Sequence, residues 1–188
     1  MGRYRARDLV LVPNLISLVR VPLAALFVGV AHRPLIALAV LALAGISDML
    51  DGWYARRFRK ATATGAVVDP ITDKLFVTVV VITLWLDGRL PLWGVILLAA
   101  RELGELPLVA WWTVSRPRRR ARAEHPKANV PGKAATTLQF AAVSAALFAS
   151  SATAALLVAA GIAGALAAAS YWWRELAAAR GSHSVLSK

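Results

Sequence analysis

A succession of apolar runs constrains this chain more than any other feature. Each run is close to the ~20 residues a helix needs to cross the hydrocarbon of a bilayer. They occupy residues 13–31, 35–56, 66–86, 91–114, 131–150 and 153–173. Hydrophobic residues make up 59% of the chain, against the ~45–50% usual in soluble domains. A globule of 188 residues has too little interior to hide that much apolar surface. The expected fold class is therefore all-α integral membrane, with six transmembrane helices forming one domain over residues 1–188. Residues 1–12, with Arg3, Arg5, Arg7 and Asp8 beside Leu9, Val10 and Leu11, are expected to add a short N-terminal interfacial helix. The first apolar run exceeds the ~7–15 residues of a signal-peptide core. It is interrupted by Arg20 and is expected to remain as the first span.

The charges test this layout. Net charge is +12, which would suggest nucleic acid if it formed a basic face on a soluble fold. Instead the basic residues fall between apolar runs. Arg56, Arg57, Arg59 and Lys60 separate the second and third, and Arg116, Arg118, Arg119, Arg120, Arg122 and Lys127 separate the fourth and fifth. The alternate connections carry only Arg33 and Arg89, or nothing basic near Ser150 and Ser151. This alternation excludes nucleic acid as the partner, points to membrane lipids, and places both termini in the cytoplasm. Trp85 and Trp93 bracket one outer loop, with Trp111, Trp112, Trp172 and Trp173 at the inner boundary, as interfacial belts do. Gly161, Ala165 and Ala169 form a small-residue stripe suited to close packing in the bundle or, as a second use, in a homodimer. The chain has no cysteine, so disulfides, zinc–thiolate sites and thiol nucleophiles are excluded.

Against this background, acids inside apolar spans stand out, since each costs roughly 2.5–3.5 kcal/mol at a helix centre. Asp48 and Asp51 end the second span, and Asp69 and Asp73 begin the third. The two spans are expected to be antiparallel neighbours with their carboxylates at one depth. Asp48, Asp51, Gly52 and Ala55 share a helical face, as do Gly65, Asp69 and Asp73. Four carboxylates so close repel one another strongly unless cations are bound. Oxygen-only ligands select hard ions, so Mg²⁺ or Mn²⁺ is expected, with two ions shared among the four acids. Such a pair suits a phosphoryl or pyrophosphate substrate, and Arg56 offers a planar fork to phosphate oxygens. Simpler readings exist. Asp69-Pro70 alone reads as a helix start, with Asp as N-cap, and Asp48 or Asp51 could pair with Arg56 or Lys74 as structural ion pairs.

Residues 48–73 read DMLDGWYARRFRKATATGAVVDPITD. This resembles the signature of the CDP-alcohol phosphatidyltransferases, D-x2-D-G-x2-A-R, eight residues, then G-x3-D-x3-D, with every fixed position filled. The resemblance implies an integral protein of the bacterial inner membrane, with its active site on the cytoplasmic side. It implies transfer of a phosphatidyl group from CDP-diacylglycerol to a polar alcohol, releasing CMP. It also implies that Asp48, Asp51, Asp69 and Asp73 hold the metals and that Asp73 is the general base. Asp48, Gly52, Ala55, Arg56 and Gly65 would line the CDP site. Spacing alone does not distinguish Asp73 from Asp69 as the base.

Two further stretches bear on the acceptor. Pro13-Asn14-Leu15-Ile16-Ser17-Leu18-Val19-Arg20 resembles the P-N-x-[LI]-[ST]-x-x-R opening of bacterial phosphatidylglycerophosphate synthases and their cardiolipin synthase relatives. Gly132-Lys133 with Thr136, Thr137 and Gln139 resembles a G-K-x-x-T-x-x-Q run of the same group. Glycerol 3-phosphate is the acceptor these imply, with phosphatidylglycerol or another polar alcohol as alternatives. The stretch from about 106 to 131 departs from that group by being longer and more basic. Lys133 and Arg101, helped by Arg118, Arg119 or Arg120, are expected to bind the acceptor's phosphate. A divalent-cation transporter is the rival from another class. It should carry its acids near the bilayer midplane, in repeated halves, and neither feature is visible here. A non-catalytic scaffold would have no use for all four aspartates.

Overall fold

The computed structural model describes residues 12–57, 65–114 and 130–185. Within them the chain is helical throughout, without strands. The helices are α1 (Val12–Leu18), α2 (Arg20–Val30), α3 (Pro34–Arg57), α4 (Gly65–Leu86), α5 (Leu92–Val114), α6 (Val130–Leu147) and α7 (Thr153–Val185). The expected interfacial segment at residues 1–12 lies almost wholly outside the described residues, as does the basic stretch 115–129. Two compact units divide the chain, Met1–Leu90 and Pro91–Lys188.

Prolines mark several of the helix starts. Pro13, Pro22, Pro34 and Pro131 all fall in a first turn, where a missing N–H costs nothing. Pro22 also explains why the first apolar run is two helices and not one. It cannot donate to the carbonyl of Leu18, yet Val19 keeps helical angles (φ −57°, ψ −25°) and its carbonyl accepts from Leu23 at 3.2 Å. The run is one rod with a single rung missing. Pro70 rules against the simpler reading of Asp69-Pro70 as a helix start. It lies inside α4, which starts at Gly65, one residue before the expected third apolar run.

In the first unit, each helix carries a buried stripe that is apolar along most of its length and polar at one end. On α1 and α2 the stripe is Asn14, Ser17, Arg20, Ala24 and Phe27, continuing to Ala31. On α3 it is Ala37, Val40, Leu41, Ala44 and Ser47, and on α4 it is Thr72, Phe76, Val80 and Leu84. Spacings of three and four keep each set on one face. Among the described residues, α3 and α4 make their main contacts with α1 and α2 and not with each other. The two acid-bearing helices therefore meet across the first helix pair, which modifies the expectation of direct neighbours.

In the second unit, α7 packs against both α5 and α6. A Cβ added to Gly94 would lie 2.8 Å from Leu157 Cδ1, one on Gly161 2.7 Å from Leu97 Cδ2, and one on Gly104 2.7 Å from Ala168 Cβ. The matched numbers rise together along both helices, so α5 and α7 run parallel. Trp172 Nε1 donates to the Gly104 carbonyl at 2.9 Å, and Gln139 Nε2 to that of Leu98 at 2.7 Å. Gly161 thus serves packing within the unit, as expected. Ala165 and Ala169 are exposed, however, and the buried stripe follows Leu157, Ala160, Gly161, Gly164 and Ala167. The helix also continues to Val185, twelve residues past the expected span end, through the Ala-rich, strongly helix-forming stretch after Trp173.

Two connections close in the same way. Arg89 donates to Leu84 O at 2.9 Å and Gly88 to Trp85 O at 3.0 Å, with Gly88 at φ +70°. Ser150 donates to Ala145 O and Ala149 to Ala146 O, both at 3.1 Å, with Ala149 at φ +48°. Both are Schellman caps, but the second places an alanine in the left-handed region. Replacing Ala149 by Gly should raise stability by about 1 kcal/mol, and Gly88→Ala should lower it by a similar amount. Thermal unfolding of the purified variants checks both signs. Gly104→Ala should cost about 1–3 kcal/mol, because its Cβ meets another Cβ. Gly94→Ala should cost less, since the end of Leu157 can give way.

Candidate active site

The polar ends of the three stripes in the first unit converge. Arg20 is 1% exposed. A guanidinium out of water must find acceptors, because it carries five donors and remains charged. Its Nη2 meets Asp48 Oδ1 at 2.8 Å, and its Nη1 donates to the Asp69 carbonyl at 3.5 Å. One turn earlier, the Ser17 hydroxyl donates to Asp69 Oδ1 at 2.5 Å. Thr72 donates back to the carbonyls of Val68 and Asp69, both at 3.1 Å. Asp48 at the end of α3 and Asp69 at the start of α4 are thus held by one cation and one hydroxyl from the first helix pair.

The two carboxylates differ in exposure. The Asp48 side chain is 59% exposed, so its carboxylate touches Arg20 on one side and solvent on the other. Asp69 is half-buried, and Asp73, one turn further along α4, is exposed. The structural pairing that sequence suggested for Asp48, with Arg56 or Lys74, is replaced by Arg20. Asp51, Gly52, Ala55 and Arg56 follow Asp48 on the last turns of α3, and Gly65 opens α4. The side chains of Asp51, Ala55 and Arg56 lie outside the described residues. Among the described residues, no three acidic or imidazole side chains converge on one point. The donors that do gather are carboxylate oxygens, which suit a hard divalent ion and not a soft one.

The residues expected at the acceptor's phosphate belong to the second unit or lie outside the described residues. Arg101 is on α5, with its side chain not described, and Lys133 is exposed on the first turns of α6. Thr136 and Thr137 donate to the Gly132 and Lys133 carbonyls at 3.1 and 3.0 Å, and Gln139 reaches across to another helix. Arg118, Arg119 and Arg120 lie outside the described residues.

The profile of the CDP-alcohol phosphatidyltransferase family matches residues 10–173. The chain belongs to that family. Its matched region takes in Asn14, Ser17 and Arg20 as well as the acid motif, and runs through both units. Among relatives, a probable phosphatidylglycerophosphate synthase of Mycobacterium tuberculosis is 43% identical over 108 residues, covering 55% of this chain and 52% of the relative. A CMP-forming cardiolipin synthase of Streptomyces coelicolor is 34% identical over 142 residues, covering 71% and 63%. A CDP-diacylglycerol–glycerol-3-phosphate 3-phosphatidyltransferase of Pseudomonas fluorescens is 40% identical over 78 residues, covering 39% and 40%. The chain spans about half the length of such relatives.

The first helix pair is only faintly marked in the sequence. Arg20 was legible only as an interruption of an apolar run and as part of the opening motif. The signal was nevertheless present: Asn14, Ser17 and Arg20 are three apart, on the face that Ala24 and Phe27 continue. A charge buried on an apolar helix implies a counter-charge elsewhere. The arrangement makes Asp48 structural as well as accessible. Asp48→Ala should lower the unfolding free energy by about 2–3 kcal/mol, toward the lower end for a broken buried pair because one partner is solvated. Asp73→Ala, at an exposed position, should change it by less than about 1 kcal/mol. Denaturant unfolding of the two variants measures the contrast.

Proposed function

We propose that this chain is a metal-dependent membrane enzyme that transfers a phosphatidyl group from CDP-diacylglycerol to glycerol 3-phosphate, giving phosphatidylglycerophosphate and CMP. One observation carries the reading. All eight fixed positions of the family signature are filled between Asp48 and Asp73, and Asp48 and Asp69, from its two halves, share a buried Arg20.

The membrane reading is supported by the outer surfaces. Leu35, Met49, Leu86, Leu166 and Trp173 are each more than 60% exposed, while among the described residues the interior mixes alanine with leucine, valine and phenylalanine. Outward-facing apolar side chains of that size are not what a water-soluble bundle presents. Thr153–Arg174, with 22 residues, is long and apolar enough to cross a bilayer, and Asn14–Val30 and Pro34–Leu50 are shorter apolar helices. Six spans, with both termini and the acid cluster in the cytoplasm, remain our proposal for the topology, and it makes residues 1–188 one catalytic domain.

In the proposed reaction the acceptor hydroxyl oxygen bonds to the phosphatidyl phosphorus. The bond from that phosphorus to the CMP oxygen breaks, and CMP leaves with its electron pair. Asp73 accepts the hydroxyl proton. Its exposure on α4 leaves it accessible to an incoming alcohol, as a general base must be. Asp48, Asp51, Asp69 and Asp73 would hold Mg²⁺ or Mn²⁺, two ions in all. When bound, the ions would neutralise the diphosphate and the developing charge on the leaving group. Gly52, Ala55, Arg56 and Gly65 would receive the cytidine diphosphate, and Lys133 and Arg101, with the arginines at 118–120, the acceptor's phosphate. A second reading, phosphatidylglycerol as acceptor with cardiolipin as product, is favoured by the likeness to the Streptomyces cardiolipin synthase over 71% of the chain.

Purified protein given CDP-diacylglycerol and labelled glycerol 3-phosphate should release CMP and form a labelled lipid. Chelator should abolish the activity, and Mg²⁺ or Mn²⁺ should restore it. Asp73→Asn should lower turnover by about 10²–10⁴-fold, the usual worth of a general base. Lys133→Ala should raise the acceptor KM by about tenfold, or ~1.4 kcal/mol, and an unchanged KM removes Lys133 from the acceptor site. Labelled phosphatidylglycerol converted to cardiolipin in place of the first reaction would establish the second reading.

A further inference from the structure

We propose that Arg20, together with Ser17, is a positioning residue for the ion site, joining the acid-bearing ends of α3 and α4 and orienting the carboxylates of Asp48 and Asp69. This rests on the reading that those acids hold divalent ions.

Burial decides what kind of role is open to Arg20. At 1% exposure its guanidinium cannot reach a phosphate in solution or at a membrane surface, so it does not bind substrate. It reaches Asp48 Oδ1 on one helix and the Asp69 backbone on another. A planar fork with separate donors spans two such acceptors, whereas a lysine ammonium acts as a single point charge. Ser17 is fully buried and spends its only proton on Asp69 Oδ1. One oxygen of each carboxylate is therefore engaged inside the fold, and the other is left for a cation. Arg20 also sets a positive charge against the Asp48 carboxylate while its other arm holds the Asp69 backbone, which offsets the repulsion that two gathered acids would otherwise feel.

Groups that orient ligating carboxylates are worth about 10–100-fold in metal affinity, which gives the size of the effect. Full-length protein in detergent is titrated with Mn²⁺, and free ion is followed by electron paramagnetic resonance. Ser17→Ala and Arg20→Met should each weaken Mn²⁺ binding by about 10–100-fold. Arg20→Lys, which keeps the charge and loses the fork, should fall between them and the wild type. Half-maximal CMP release should need correspondingly more Mn²⁺ in each variant. A merely structural role would instead lower the folded fraction and leave the affinity of the folded protein as it was. If Arg20→Met does not fold, Ser17→Ala decides alone. Wild-type Mn²⁺ affinity in the folded variants overturns the positioning role. A wild-type protein that takes up no Mn²⁺ overturns the metal reading itself, and the positioning role with it.

Discussion

The first unit depends on a charge that has nowhere else to go. Removing a guanidinium from water costs several kcal/mol unless acceptors replace the lost solvent, and Arg20 sits in the middle of a helix pair that packs on both α3 and α4. That pair can bury its stripe only when Asp48 and Asp69 are delivered to Arg20. Packing of the N-terminal helices and the placing of Asp48 and Asp69 are therefore energetically linked. The acids in turn gain a neighbour that tolerates their charge. An arrangement costly for either partner alone becomes stable for both.

The second unit is specified by the opposite means. Between α5 and α7 the contact is made by absent atoms: Gly94, Gly104 and Gly161 let backbone approach side chain where a Cβ would collide. Gln139 and Trp172 then donate to carbonyls of α5, polar contacts that fix the register of otherwise apolar helices. The first unit is vulnerable to losing a group and the second to gaining one.

Much of this was readable from sequence, for identifiable reasons. Runs of apolar residues gave helices close to where they occur, because length and composition alone set that signal. The motif from Asp48 to Asp73 fixed the acids on two successive helices. What escaped was which face of an apolar helix meets which neighbour. When leucine and alanine occupy every side, as on α7, no stripe differs from another until a partner is present, so Ala165 and Ala169 looked as apt as Gly164 and Ala167. Arg20 escaped because its meaning is relational. Its partners lie 28 and 49 residues away, and no local pattern names them.

The short connections carry a consequence inside each unit. The breaks at 31–33 and 148–152 leave almost no chain between α2 and α3 or between α6 and α7. Ends joined so tightly leave little slack for an insertion or a cleavage, and no room there for a group of polar side chains. In the first unit such a group is found away from that tight turn, toward the end of α3 and on the first turns of α4, where Asp48 and Asp69 are drawn to the first helix pair.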